Sequence, residues 1–275
     1  MELTSPSTIK KLLNLYGQNA KKNLGQNFLI DKNVLEIIVQ TAEIKKTDHI
    51  LEVGPGMGVL TRELAKTAKN VTAIELDTSI IPILKNNLTE YDNVEIVNMD
   101  ALRFSPPKTP YKVVANIPYN ITSPLINHFL QNENPPQSIT LLIQLEVAEK
   151  ICEKEPAMSI LSLQVALFGK AKIIKKVSPS CFYPPPKVTS AVIQIIPFSP
   201  SDPDFTPLEE AQKILKLAKI AFSQKRKKLS NTLGNFFKDK SAESPEDKNA
   251  LSKFKEKRPQ HLSVTDWKKL ISLTK

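Results

Sequence analysis

The run Asn116-Ile117-Pro118-Tyr119 joins an amide, a proline and an aromatic ring within four positions. That set suits the handling of a weakly nucleophilic amine. An exocyclic amine on adenine has its lone pair delocalised into the ring. The Asn116 side-chain oxygen and the carbonyl preceding or at Pro118 can accept from its hydrogens. Those bonds favour a pyramidal nitrogen whose lone pair points at an electrophile. Proline has no N–H to compete and stiffens the turn, and Tyr119 offers a π-face to an extruded base. No ionised base is needed before transfer, because the proton can leave the cationic product. Catalysis of this kind rests on orientation and electrostatic alignment. Taken alone, Asn-x-Pro-Tyr is also an ordinary turn.

A second aromatic set, Cys181-Phe182-Tyr183-Pro184-Pro185-Pro186-Lys187-Val188, precedes the last expected strand. Its prolines fix a rigid loop that can hold Phe182 or Tyr183 as the other wall of a base sandwich. Lys187 then lies close to a backbone phosphate. The plainer alternative is a stiff hairpin connection with Phe182 in the core.

A third set is built for a nucleoside. Glu52-Val53-Gly54-Pro55-Gly56-Met57-Gly58 follows a strand-like run and opens a helix, and its glycines allow a sharp turn close to a ligand. The spacing is G-x-G-x-G and not the dinucleotide G-x-G-x-x-G. Glu75, 21 positions after Gly54, ends the next strand, where an acid can accept both ribose hydroxyls. Asp77 competes for that role, but lies beyond the strand and is expected to cap the helix starting near Ser79. Asp100-Ala101 ends the third strand, with a carboxylate able to accept from an adenine amino group. No Walker lysine follows the glycines, and Gly54–Thr61 holds no base to neutralise a pyrophosphate. S-adenosylmethionine therefore fits these three strand ends better than NAD or ATP. A plain strand–helix turn remains the simple alternative for the glycines alone.

The elements that must position these groups alternate. His49–Val53, Asn70–Ile74, Asn93–Val97, Lys112–Ala115 and Ile139–Ile143 read as short buried strands. Between them, 58–68, 78–90 and 122–131 have helical spacing. That alternation predicts an α/β fold, a doubly wound, Rossmann-like parallel sheet, with Asn116 at its topological switch. Two more strands are expected around 171–177 and 189–196. Pro197–Pro207 has four Pro, two Asp and three Ser or Thr in eleven residues and reads as a linker. Beyond it, 208–222, 225–237 and 263–273 are helical in pattern. The expected division is 1–200, beginning with a basic arm at 1–26, and a small all-helical domain at 201–275.

Composition bounds the partner. The chain has 275 residues and a net charge of +10, with 41% hydrophobic and 24% charged residues, which is ordinary for a folded chain. Cys152 and Cys181 are the only cysteines, so a disulfide scaffold is excluded and no metal is expected. No apolar run approaches the ~20 residues of a membrane span. Residues 1–26 are interrupted by Lys21 and Lys22 before a signal core could form, so a reducing, cytoplasmic location is expected. The charge is uneven: 1–26 carries +3, 165–200 carries +5 and 201–275 carries +7, leaving −5 for 27–164. Basic flanks about an acidic block suggest a polyanion, although lysine-rich surfaces also serve solubility. Lys225, Arg226, Lys227 and Lys228 cannot share one helix face, so some are expected on phosphate and the rest in solvent.

With these residues in order, the chain resembles the ribosomal RNA adenine N6,N6-dimethyltransferase family. Asn23-Leu24-Gly25-Gln26-Asn27-Phe28-Leu29, Glu52–Gly58, Glu75, Asp100-Ala101, Asn116–Ile121 and Phe182–Val188 are similar to its motifs in order and spacing. Ala221–Leu229 and Arg258–Ser263 are similar to its C-terminal segments. The resemblance implies a class I methyltransferase sheet. It implies that Asn27, Leu29, Gly54, Glu75, Asp100 and Asn116 contact S-adenosylmethionine, and that Asn116, Pro118, Tyr119 and Phe182 handle the adenine. The triple proline and the helical C-terminal part favour the branch that dimethylates two adjacent adenines near the 3′ end of small-subunit (16S) rRNA. Its substrate would be an immature particle, met by a monomer. Large-subunit methylation, an assembly factor whose docking outweighs catalysis, and a nucleotide-dependent oxidoreductase are the alternatives. Leu145, the short 153–158 loop and His261 depart from the family pattern and bear on RNA contacts.

Overall fold

The computed structural model describes residues 2–21, 24–238 and 245–273. Its chain forms two compact units, Met1–Ala148 with Ala171–Pro197, and Glu149–Lys170 with Phe198–Lys275.

In the first unit, β1 (Phe28–Leu29), β2 (His49–Val53), β3 (Asn70–Glu75), β4 (Val94–Asn98), β5 (Lys112–Asn116), β6 (Ile139–Gln144), β7 (Gly169–Val177), β8 (Phe182–Tyr183) and β9 (Ser190–Pro197) form two sheets. The large one has the order β4-β3-β2-β5-β6-β9-β7, and β1 pairs with β8 separately. The β2–β3, β3–β4, β2–β5 and β5–β6 pairs are parallel, and β6–β9 is antiparallel. Because β2, β5 and β6 are covered on both faces, they read as nearly unbroken apolar runs. Strand order reverses between β2 and β5, which opens a crevice at their carboxyl ends. The doubly wound sheet expected from the alternation is present.

Helices α1 (Pro6–Leu15), α2 (Lys32–Ala42), α3 (Val59–Ala65), α4 (Ile81–Asn87) and α5 (Thr122–Leu130) belong to the same unit, and α6 (Leu145–Ile151) begins in it and ends in the second. Asp31 starts α2 by accepting from the Val34 amide at 3.0 Å. At the other end of β5, Lys112 is buried and pairs with Asp48 at 2.8 Å while donating to the Glu43 carbonyl at 2.6 Å. Burial works against the Asp48 carboxylate, but the Lys112 bond, the Lys45 amide bond and the two lysine charges together outweigh it and hold the group below its ordinary value.

The second unit contains α7 (Ile160–Phe168), α8 (Leu208–Phe222), α9 (Leu229–Thr232), α10 (Gly234–Lys238), α11 (Pro245–Glu256) and α12 (Val264–Ser272). Its core gathers Leu163, Leu167, Ile214, Ala218, Leu229, Leu262 and Trp267. Ser159 and Ser263 open α7 and α12 with reciprocal capping boxes.

Two expectations need correction. The division is not at 200/201 alone, because 149–170 folds with the C-terminal helices. Helix α7 (ILSLQVALF) is apolar almost all round and packs on α8. A pattern without a polar face gives no clue to which body it covers. The helix expected over 225–237 is also broken. Residues 223–227 form turns, and helical structure resumes only at the buried Leu229. Four adjacent cations repel at helical spacing, with no apolar side chain among them to anchor a turn.

Candidate active site

The cleft lies where β2, β3 and β5 end. Gly54 (φ +69°) turns the chain out of β2, with its amide donating to the Ile74 carbonyl at 2.9 Å. A Cβ there would sit 3.5 Å from Pro118 Cδ, and one on Gly25 (φ +64°) would sit 3.3 Å from Pro118 Cβ. The two glycines thus let the β2 turn and the N-terminal segment both approach Pro118 closely.

Asn27, Leu29, Gly54, Glu75, Asp100, Asn116, Pro118 and Tyr119 all line this one cleft. Glu75 is 7% exposed. Its Oε1 accepts from the Asp77 amide at 2.8 Å and its Oε2 from the Gly56 amide at 3.2 Å. Burial raises its carboxyl above the ordinary value, against the pull of those backbone bonds. Asp100 Oδ1 accepts from the Leu102 amide at 2.9 Å, which fixes its carboxylate just beyond β4.

Asn116 ends β5, and its Nδ2 donates to the Asn27 carbonyl at 3.2 Å. A carbonyl can only accept, so the amide orientation is decided and Oδ1 is left as the acceptor. Tyr119 begins a short 3₁₀ turn, with its hydroxyl 2.6 Å from Ser190 Oγ. Ile117, in the middle of the run, is buried.

Phe182 does not join them. It is 2% exposed in the core with Leu29, Val34 and Val192, paired through β8 with Leu29 of β1. Strand alternation sends Phe182 inward and leaves Tyr183 half-buried. The plainer sequence reading, Phe182 as core, describes its place here. Lys187 is exposed on the loop before β9, and Lys225, Arg226, Lys227 and Lys228 are exposed in the second unit, where Lys228 pairs with Glu256. Asn23, the first residue of the N-terminal motif, and its neighbour Lys22 lie outside the described residues.

The cleft also holds residues that sequence reasoning passed over. Glu52 lines it at 1% exposure, with no hydrogen-bond partner for Oε2. Burial, then the nearby Glu75 charge, pushes its carboxyl up to about 8. An acid between Ile50, Leu51 and Val53 in a buried strand is the available signal. Asp77 is not the helix cap expected of it. Helix α4 begins only at Ile81, and the Asp77 carboxylate instead receives Lys21 and Gln26 as well as Ser79. Among the described residues, no group of three His, Cys, Asp or Glu is arranged to hold a metal ion, and no helix is long and apolar enough to cross a membrane.

The family model described as "Ribosomal RNA adenine dimethylase" matches residues 17–270. The Ribosomal RNA small subunit methyltransferase A of Listeria innocua is 36% identical over 98% of this chain and 95% of its own length. That of Clostridium botulinum is 40% identical over 84% and 86%. Among solved structures, a dimethyladenosine transferase from Plasmodium falciparum superposes with a TM-score of 0.75 at 31% identity, covering 89% of this chain and 96% of that one. The 23S rRNA methyltransferase ErmE does so with a TM-score of 0.69 at 28% identity, covering 90% and 99%. With its cleft residues in place and its length matched almost end to end, the chain belongs to the ribosomal RNA adenine dimethylase family.

Proposed function

We propose that this protein transfers methyl groups from S-adenosylmethionine to N6 of two adjacent adenines near the 3′ end of small-subunit (16S) rRNA. Its substrate is then an immature particle, met by a monomer in the cytoplasm. The observation that carries the reading is the Asn116 amide, whose Nδ2 is turned to the Asn27 carbonyl and whose Oδ1 is thereby left as the acceptor for an incoming amine. The small-subunit branch is supported by the curated relatives' names.

The cleft suits the cofactor. Glu52 Oε2 is buried without a hydrogen-bond partner, and a cationic, N–H-bearing group beside it would favour loss of the carboxyl proton and pair with the carboxylate that results. Glu75 keeps acceptor capacity beyond its two backbone bonds, enough for a pair of ribose hydroxyls. When bound, S-adenosylmethionine supplies an electrophilic methyl group on a sulfonium.

The remaining work falls to this chain. Asn116 Oδ1 and the carbonyl of Ile117 or Pro118 accept from the amine hydrogens, localising the nitrogen lone pair. Tyr119, anchored through Ser190, presents its ring to the base. No residue needs to take the proton before transfer.

Transfer of labelled methyl from S-adenosylmethionine to immature small subunits, with the methylated positions mapped on both ribosomal RNAs, tests this. Two adjacent dimethyladenines near the small-subunit 3′ end are expected. Label on large-subunit RNA alone would move the protein to the other branch, and no transfer in any assembly state would leave only a docking role.

A further inference from the structure

Asp77 stands two residues beyond the acid proposed for the ribose, yet its carboxylate faces the N-terminal segment. It is 7% exposed and takes four hydrogen bonds. Oδ1 accepts from Lys21 Nζ at 2.8 Å, from the Ser79 amide at 3.0 Å and from Ser79 Oγ at 2.7 Å. Oδ2 accepts from Gln26 Nε2 at 2.7 Å. Gln26 is fixed at its other end as well, with Oε1 accepting from the Lys21 amide at 2.8 Å. The residue after Gln26 is Asn27, whose carbonyl orients Asn116. On its other side, the Asp77 amide donates to Glu75 Oε1 at 2.8 Å.

We infer that Asp77 is a positioning residue for methyl transfer: through Gln26 and Lys21 it holds the Gly25–Asn27 segment where the Asn27 carbonyl sets the Asn116 amide. On its C-terminal side the segment is anchored by the β1–β8 pairing, which begins at Phe28. Asn27 lies between the two anchors. Releasing the Asp77 end frees the carbonyl to which the Asn116 Nδ2 donates. The amide can then turn, and its acceptor is no longer aimed at the amine.

The carboxylate is required as a carboxylate. An asparagine at 77 offers one oxygen and one NH₂ group, so either the Lys21 ammonium or the Gln26 amide meets a donor instead of an acceptor. A glutamate at 26 alone places two carboxylates face to face. Asp77→Asn combined with Gln26→Glu restores the match, because the new amide donates to the new carboxylate while its oxygen still accepts from Lys21.

This inference rests on the proposed methyl transfer, and the reciprocal swap tests it. Single-turnover transfer at saturating S-adenosylmethionine is measured for Asp77→Asn, Gln26→Glu and the double variant, alongside melting temperature and amide hydrogen exchange at Asn27 and Phe28. Each single variant is expected to slow transfer about 10–100-fold and speed exchange, with melting temperature within a few degrees of wild type. The double variant is expected to recover both readouts to within a few-fold. Singles that transfer at the wild-type rate, or a double no better than either single, would overturn the inference while leaving the functional reading intact. A wild type that transfers nothing defeats that reading instead. The exchange measurement then decides the clamp itself, with unchanged exchange in both singles overturning it.

Discussion

The strand-end cleft and the basic turn of the helical unit solve placement in opposite ways. In the cleft, polar groups are held by backbone atoms: Glu75 by two amides, Asp100 by one, Asn116 by a carbonyl. Lys225, Arg226 and Lys227 instead sit exposed in a turn between α8 and α9. Backbone-anchored groups lose little entropy when a ligand arrives, so they can define a reaction geometry. Solvated cations on long stems cannot, but they can follow a phosphate backbone whose course varies. The proposed function puts chemistry in the first region and affinity in the second, and the substitutions that follow probe that split.

The largest effect is expected at Asn116. Asn116→Ala removes the acceptor aimed at the amine, and transfer at saturating cofactor should fall about 10²–10³-fold. Cofactor affinity, read by calorimetry, should change far less. A loss confined to cofactor affinity would mean that Asn116 only binds. Next comes Glu75→Ala, which removes both proposed ribose acceptors. Two hydrogen bonds to a charged group are worth roughly 10²-fold in S-adenosylmethionine affinity. Because burial raises the Glu75 carboxyl, wild-type affinity should weaken as pH falls through that raised value. Glu75→Gln should flatten the dependence. Tyr119→Phe keeps the ring but loses the Ser190 partner, at about 1 kcal/mol or roughly fivefold in transfer.

Glu52 measures what the cleft costs the cofactor-free protein. Its folded carboxyl, at about 8, holds a proton that the unfolded chain releases near 4.5. The stability this provides is full below 4.5 and is lost as pH rises through 8. Melting temperature of the wild type should therefore drop across that window, and Glu52→Gln should drop less. Parallel curves for the two proteins would place the orphan carboxylate in a better-solvated setting than the cleft provides.

Legibility in the sequence divided along the same line. Strand ends were readable because β2, β3 and β5 are short apolar runs whose last residues fall at one edge of a parallel sheet, and Gly54, Glu75 and Asn116 mark those ends. Cross-chain bonds were not readable. Nothing local to Asp77 announces Lys21, 56 positions away, and helix-cap chemistry was the nearest available explanation. Phe182 misled for a related reason: an aromatic beside prolines suits a base wall or a core plug, and only the β1–β8 pairing decides its direction. In the helical unit, apolar period found α8 and α12 but missed α7, whose apolar surface is too continuous to have one.

The smallest effect, and the finest test of the contrast, belongs to Lys225 and Lys227. If each meets one phosphate in the bound particle, Lys225→Ala or Lys227→Ala should weaken particle binding only a few-fold at moderate salt. The slope of log affinity against log salt should fall by about 0.7–0.9 for each phosphate no longer neutralised. Lys228→Ala should do less, because its ammonium is already paired with Glu256 and part of any gain on phosphate is spent leaving that partner. Cofactor affinity and single-turnover transfer at saturating particle should not move in any of the three. A lysine whose removal slows transfer at saturation without changing the salt slope would be orienting the target and not merely holding it. That one position would then belong with the cleft, where geometry and not charge is the limiting quantity.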